Sequence, residues 1–377
     1  MRLRLRAAGV SAWPRARGLS TAAANAPAPV TGNASAAETR KKRVIVSGIQ
    51  PTGVPHVRGF DVHLSLQLGN YLGALKNWLD LQASAREGDE FFFFIAGLHA
   101  LTAPQDPVQL FADRRNALAS LLAIGLDPKR CTIFHQDQIP EHTELAWHIG
   151  CLAPLGRLER MTTWKSKLAL LTSASDPAAD HAQLQLGLFT YPVLQAADIL
   201  MYNKTPGIPS SSKRILSLRN PQQKMSKSAP DASSRILITD RPETITVKIR
   251  RAVTDSERAL SFDPTHRPAV SNLLSITAAL GCGPLRDELR AANGNDAPVG
   301  PEQIAEVLNR SGGSGARLKQ VLAESIIETL RPIQRKYTRL ENEPGYLASL
   351  EAQGRERARE RATQTMAEVR TLLGLQR

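Results

Sequence analysis

Arg43-Val44-Ile45-Val46-Ser47-Gly48-Ile49-Gln50-Pro51-Thr52-Gly53 is the stretch that decides the fold. A β-branched run closed by a glycine and a Pro-Thr-Gly turn predicts a short buried strand that runs into a loop. Tyr71 to Leu81 follows with helical spacing. Glu90 to Ala96 is a near-continuous apolar run, as a central parallel strand covered on both faces requires. A further helix over Pro107 to Ala123 leads through the Gly125-Leu126-Asp127-Pro128 stop to a third strand at Cys131 to His135. Strand, helix, strand, helix, strand is the rhythm of a doubly wound, Rossmann-like α/β domain with a parallel sheet.

After about Thr244 the apolar positions recur at helical spacing, first Leu273, Ile276 and Leu280, later Ile304, Val307, Leu318, Val321, Ile326, Ile327 and Leu330. Pro332 kinks the last of these helices without ending it. The chain is expected to divide into an α/β domain over residues 43–244 and an all-helical domain over 245–377. No apolar run reaches the roughly 18 residues that a membrane-spanning helix needs. A membrane role is not expected.

The formal charge is +13, and nine of the basic residues lie before Val44 against one acid, Glu38, which leaves +5 for the remainder. Such an excess suits docking of a polyanion without demanding it. The first 37 residues contain no acid, five arginines and many Ala and Ser, the composition of a mitochondrial transit peptide. The expectation is a targeting segment over 1–20, cleaved near Arg17 to Thr21, a disordered linker over 21–42, and a matrix location. Cys131, Cys151 and Cys282 stand far apart with no CxxC pair, so neither a metal site nor a disulfide framework is expected.

The sharpest chemical string is Lys224-Met225-Ser226-Lys227-Ser228, after the short strand-like Ile215-Leu216-Ser217-Leu218. Taken alone, two lysines among serines make a solvated loop. Upstream, however, the first strand ends in a turn carrying His56, and Leu68-Gly69-Asn70-Tyr71 opens a helix. Glycine there lets backbone approach a phosphate, and a helix N-terminus offers unpaired N–H groups and a positive dipole end. Tyr191, Gln195, Asp198 and Tyr202 are spaced by 4, 3 and 4, one polar stripe on an otherwise apolar helix. Read alone, that stripe is either a solvent face or the lining of a ligand pocket.

Together these strings resemble the tryptophanyl branch of the class I aminoacyl-tRNA synthetases, which carries a HIGH-type motif and a KMSKS motif. The likeness runs from about Arg43 to the C-terminus and includes Tyr191 to Leu200 and Ile326 to Gln334. It implies that residues 43–244 are the catalytic domain and 245–377 a helical tRNA-binding domain. It implies ATP-dependent activation of L-tryptophan and its transfer to tRNA(Trp) in mitochondrial translation, by a homodimer. The carboxylate of the amino acid attacks the α-phosphate of ATP, a step governed by in-line positioning and charge neutralisation. His56, Asn70, Lys224 and Lys227 are the implied catalytic groups. ATP contacts extend to Gln50, Thr52, Gly69, Ile215, Met225 and Ser226, with Mg²⁺ bound through the nucleotide. Indole offers one donor and no acceptor, so a tryptophan site needs an acceptor in an aromatic pocket. Asp198 fits that role, and Tyr191, Gln195 and His99 line the same pocket. Which bases of the tRNA are read is not visible in the sequence, and Lys319, Arg331, Arg335, Lys336 and Arg339 of the helical domain are candidate contacts only.

The chain departs from that family in two places. Eleven residues, Val57 to Gln67, separate His56 from Leu68, Gly69 and Asn70; His63 inside them is an alternative to His56, and the position following Pro51-Thr52-Gly53 is the one preferred. This insert is expected as a poorly packed excursion, a translated intron remnant. Near residues 205–210 a family segment of a few tens of residues, holding a strand and a helix, is missing. Gly97 and Ala229 also stand where the family usually has aspartate. The competing expectation is a catalytically impaired relative, or a mis-assembled gene product, with an RNA- or partner-binding role.

Overall fold

Four consecutive phenylalanines build the sheet. The computed structural model describes residues 42–51, 66–162, 164–165, 184–202, 215–226, 229, 231–293 and 299–377. In it β2 (Glu90–Ile95) lies between β1 (Val44–Ile49) and β3 (Thr132–His135) and is parallel to both. The register sets Val46 beside Phe92 and Gly48 beside Phe94, while Phe94 faces Phe134 on the other edge. Successive side chains point to opposite faces. Phe91, Phe93 and Ile95 therefore enter one core and Phe92 and Phe94 another. At roughly 1.5–3 kcal/mol for each fully buried large side chain, this run alone fixes β2 at the centre. Arg43 holds the start of the sheet, its Nε donating to Asp89 Oδ2 at 2.9 Å.

The connections are helical. α1 (Leu68–Asn70) continues through a π turn, Tyr71–Leu75, into α2 (Lys76–Ala83), so this helix begins three residues before the predicted Tyr71. A short α3 (Gly97–Ala100) follows β2. α4 (Pro107–Ile124) is capped by Asp106, whose Oδ1 accepts from Gln109 N at 2.8 Å, and stops at Gly125, where φ is +124°. That is a backbone conformation natural to glycine. α5 (Glu141–Leu152), α6 (Leu155–Glu159) and α7 (Leu186–Tyr202) complete the first half. The two crossovers among β1, β2 and β3 each carry a helix, as parallel strands require.

From Pro242, two residues before the predicted change, the chain is helical: α8 (Pro242–Arg250), α9 (Pro268–Ala279), α10 (Arg286–Asn293), α11 (Pro301–Arg310), α12 (Gly315–Glu341) and α13 (Pro344–Leu372). α12 continues past Pro332 without ending there, as expected, and α7 likewise contains Pro192. Leu273, Ile276, Ile304, Val307, Leu318, Val321, Ile326 and Leu330 share one buried cluster with Trp78, Phe91 and Phe93. The helical half is thus built onto one face of the sheet.

α13 covers the other face. Its buried positions Leu347, Leu350, Gly354, Ala358, Ala362 and Met366 form a narrow stripe of spacing 3 or 4. A Cβ at position 354 would stand 1.8 Å from the carbonyl oxygen of Ile133, so only glycine lets this helix lie against β3. Among the described residues, no single helix is long and apolar enough to cross a membrane.

The transit-peptide segment, the linker except Lys42, His56, His63, residues 57–65 of the insert and the junction at 205–210 lie outside the described residues. The last two residues of the insert do not, and at these two positions they correct the expectation of loose packing. Leu66 and Gln67 are buried, with Ile238 N donating to Leu66 O at 3.1 Å and Leu68 N to Ile236 O at 2.8 Å. Two-sided backbone pairing with Ile236 to Ile238 locks this end of the insert into the core.

Candidate active site

The C-terminal ends of the strands in an open α/β sheet are where ligands collect. A cavity of about 310 Å³ lies there, walled by Ser47, Gly48 and Gln50 from β1 and its turn, Phe94 from β2, His99 from α3, and Tyr191, Gln195 and Asp198 from α7. All four residues expected around an indole therefore meet at one cavity. Gly48 is required by close approach, because a Cβ there would stand 2.3 Å from Phe94 Cε2. The fourth member of the predicted stripe, Tyr202, is not on this wall. It is 1% exposed and its ring stacks on Phe92 at 4.5 Å.

Asp198 is 2% exposed and its two oxygens take three side-chain donors. His99 Nε2 lies 2.7 Å from Oδ2, and His142 Nδ1 and Gln136 Nε2 lie 2.6 and 2.7 Å from Oδ1. Burial alone would push this carboxyl up. The hydrogen bonds and charge of His142 and His99 outweigh it and hold Asp198 below the usual aspartate range. The site thus presents a buried, ionised acceptor at the edge of an aromatic-lined cavity. His142 and Gln136 escaped the sequence reading. The one available signal was their position, immediately beyond the C-terminal end of β3 (Thr132–His135), where polar residues gather around ligands in such folds.

The segments bearing the two chemical strings also touch. Gln67 Nε2 donates to the carbonyl oxygen of Met225 at 2.9 Å across 158 residues of sequence, and a Cβ at Gly69 would be 3.5 Å from Met225 Cβ. Met225 is 1% exposed and its N donates to Ile215 O at 3.0 Å, while Lys224 is exposed. The methionine is an anchor that leaves its lysine neighbour facing outward. Asn70 Oδ1 accepts from Gln67 N at 3.3 Å, so this side chain closes the helix start and keeps its amide donors. His56, Thr52 and Lys227 fall outside the described residues.

Gly97 has a structural reason. Any Cβ there would lie 2.2 Å from Asp137 Oδ1, and that carboxylate is paired with Arg114 at 2.6 Å. Asp137, from the turn after β3, fills the space that a side chain at 97 would need.

With this geometry in place, the chain belongs to the class I tRNA synthetases of the W and Y family, whose sequence pattern matches residues 38–211 and 204–331. It is 36% identical to the mitochondrial tryptophan–tRNA ligase of Schizosaccharomyces pombe, over 88% of this chain and 95% of that protein. Against the mitochondrial tryptophan–tRNA ligase of Saccharomyces cerevisiae the identity is 34%, over 88% and 90%. A solved tryptophanyl-tRNA synthetase from Mycoplasma pneumoniae superposes with a TM-score of 0.72 at 28% identity, covering 88% of this chain and 97% of that one. A second, from Campylobacter jejuni in complex with ADP and tryptophan, gives 0.61 at 25% identity, covering 88% and 99%. The alignment with the S. pombe protein is 372 positions long yet takes in 88% of 377 residues, so at about 40 positions the relative has a residue and this chain has none.

Proposed function

We propose that this chain is a tryptophan–tRNA ligase of the mitochondrial matrix, forming tryptophanyl-adenylate from L-tryptophan and ATP and passing the amino acid to tRNA(Trp). The observation that carries this reading is the buried, ionised Asp198 beside the 310 Å³ cavity, an acceptor suited to the single N–H of an indole. Its carboxylate has about four acceptor positions, of which three are filled, two on Oδ1 and one on Oδ2. The open position on Oδ2 takes the indole N–H. A smaller or donor-free side chain leaves it empty, which is the costly mismatch that discriminates without editing.

In the first step the tryptophan carboxylate oxygen attacks the α-phosphorus of ATP and pyrophosphate leaves. The start of α1 and Gly69 face the phosphates, with His56, Asn70 and Gln50 as donors and Thr52, Ile215, Met225 and Ser226 lining the nucleotide. Lys224 and Lys227 neutralise the pyrophosphate as its charge develops. In the second step a ribose hydroxyl of the tRNA terminus attacks the adenylate carbonyl and AMP leaves. Among the described residues no cluster of His, Cys, Asp or Glu forms a metal cage, and the donors at the lysine loop are amides, hydroxyls and ammonium groups. Mg²⁺ would be carried by the nucleotide, and would add charge neutralisation beside Lys224 and Lys227.

On α12, Arg331, Arg335 and Arg339 recur every fourth residue and are exposed together with Lys336, a ladder suited to a phosphate backbone. Lys319 is half-buried, its Nζ donating to Arg250 O at 3.3 Å, and is the weaker candidate. Exposed Trp147 and Leu152 on α5, Leu155 on α6, and Leu186 and Leu200 on α7 supply apolar surface for a second copy of the chain. The experiment is ATP–pyrophosphate exchange with the purified chain. Exchange that requires tryptophan supports the assignment, and none with any amino acid refutes it.

A further inference from the structure

Neither His142 nor Tyr202 lines the cavity, yet both are committed to Asp198. His142 is 0% exposed and bridges the two, with Nδ1 at 2.6 Å from Asp198 Oδ1 and Nε2 at 2.9 Å from the Tyr202 hydroxyl. A neutral imidazole has one N–H and one lone pair. If the proton sat on Nε2, the Nδ1 lone pair would face a carboxylate oxygen at 2.6 Å, a repulsive contact between two acceptors. Nδ1 therefore carries a proton in either charge state of the ring, and Nε2 is tied to the Tyr202 hydroxyl. Burial pushes the Tyr202 hydroxyl well above its ordinary range, so it remains a donor at any working pH. A hydrogen-bonded chain thus runs from Tyr202 through His142 to Asp198.

Three donors around one carboxylate fix its plane. Gln136 presents an amide, and its Oε1 is in turn held by Leu98 N at 3.2 Å. His99 bonds the oxygen on the cavity side. Of the two groups on Oδ1, His142 is the one whose ring is held by a further residue, because the Tyr202 hydroxyl bonds its other nitrogen. Resting on the proposal that Asp198 accepts the indole N–H, we infer that His142 and Tyr202 are positioning residues for indole selection. They turn Asp198 so that its one open acceptor position faces the substrate.

The test compares tryptophan with benzothienylalanine, in which sulfur replaces the indole N–H at nearly unchanged shape, in ATP–pyrophosphate exchange by the full chain. The wild-type chain is expected to prefer tryptophan by roughly 10- to 100-fold in kcat/KM, the range for a hydrogen bond to a charged acceptor. Tyr202→Phe removes the hydroxyl without adding volume, and His142→Gln moves the amide donor away from Asp198. Each is expected to shrink the preference to about threefold or less through the tryptophan KM, with the ATP KM unchanged. His142→Asn sets an amide nitrogen where Nδ1 stood and is expected to restore most of the preference. Variants that melt as wild type and lose activity toward both amino acids equally would overturn the inference, since a merely structural role lowers both alike. Should His142→Gln fail to fold, Tyr202→Phe alone decides in the same way. A wild-type chain that does not distinguish the two substrates refutes the Asp198 assignment itself, a separate outcome.

Discussion

Replacing Gly48 by alanine couples the sheet register to substrate binding. The added Cβ would lie 2.3, 2.4 and 2.9 Å from Cε2, Cζ and Cδ2 of Phe94, against ordinary contacts beyond 3.4 Å. The Phe94 ring must therefore retreat by about 1 Å, a shift that closely packed interiors resist. It is 5% exposed and has Phe134 and His142 at ring-centroid distances of 5.7 and 6.1 Å, so it has two directions to move. One is into the 310 Å³ cavity that it walls, and the other is against the histidine that holds Asp198. Overpacking of this kind costs about 1–3 kcal/mol. If half of that falls on bound tryptophan, its KM rises about threefold to tenfold at 1.4 kcal/mol per decade. The remainder is read as a fall of a few degrees in the thermal midpoint. The assay is tryptophan-dependent exchange beside a melting curve, with Gly345→Ala as control, since a Cβ at 345 meets nothing within 4 Å. A Gly48→Ala chain with wild-type tryptophan KM and midpoint would refute the placement of β1 as the cavity wall.

Lys227→Ala is expected to lower the activation rate far more than it weakens ATP binding if, as proposed, its charge acts on the departing pyrophosphate; single-turnover rates and ATP affinity that fall equally would contradict this. Burial holds His135 neutral by pushing its pKa down to about 3, while the unfolded chain titrates near 6.5. Between those values the unfolded state binds more protons, so stability from this group is complete above about 6.5 and falls as pH drops toward 3, by at most about 1.4 kcal/mol per pH unit. His135→Phe is expected to flatten the melting midpoint between pH 7 and 5, and an unchanged slope would exclude His135 as the source. Gly354→Ala places a Cβ 1.8 Å from a backbone oxygen that cannot rotate away, so α13 should separate from β3. Hydrogen exchange along Pro344–Leu372 measures this, and wild-type protection there would show that the helix does not pack as described.

Much of the architecture was legible in the sequence because its signals are local. The apolar run at Glu90–Ile95 marks a strand buried on both faces whatever surrounds it, and Asp106, Pro107 and Gly125 delimit α4 through their own backbone preferences. The spacing of Tyr191, Gln195 and Asp198 on one helix face follows from helical geometry alone, as does the continuity of α12 through Pro332. The lysine string was likewise readable because it is contiguous, and the histidine string because its two pieces, Ser47 to His56 and Leu68 to Tyr71, each read by themselves.

Which polar groups meet was decided only by the tertiary structure. Asp198 finds His99, Gln136 and His142 at separations of 99, 62 and 56 residues, and no periodicity links them. Tyr202 shares the helix stripe with Asp198 but enters the core, because Phe92 and Phe134 offer its ring an apolar bed and His142 takes its hydroxyl. Gln67 and Leu66 read as the end of an insert, yet backbone pairing with Ile236 to Ile238 and the bond to Met225 make them part of the core. Gly97 reads as a lost aspartate until Asp137 is seen occupying its space. Propensity acts over a few residues, whereas a buried charge is stable only where distant donors converge on it, and that convergence is a property of packing.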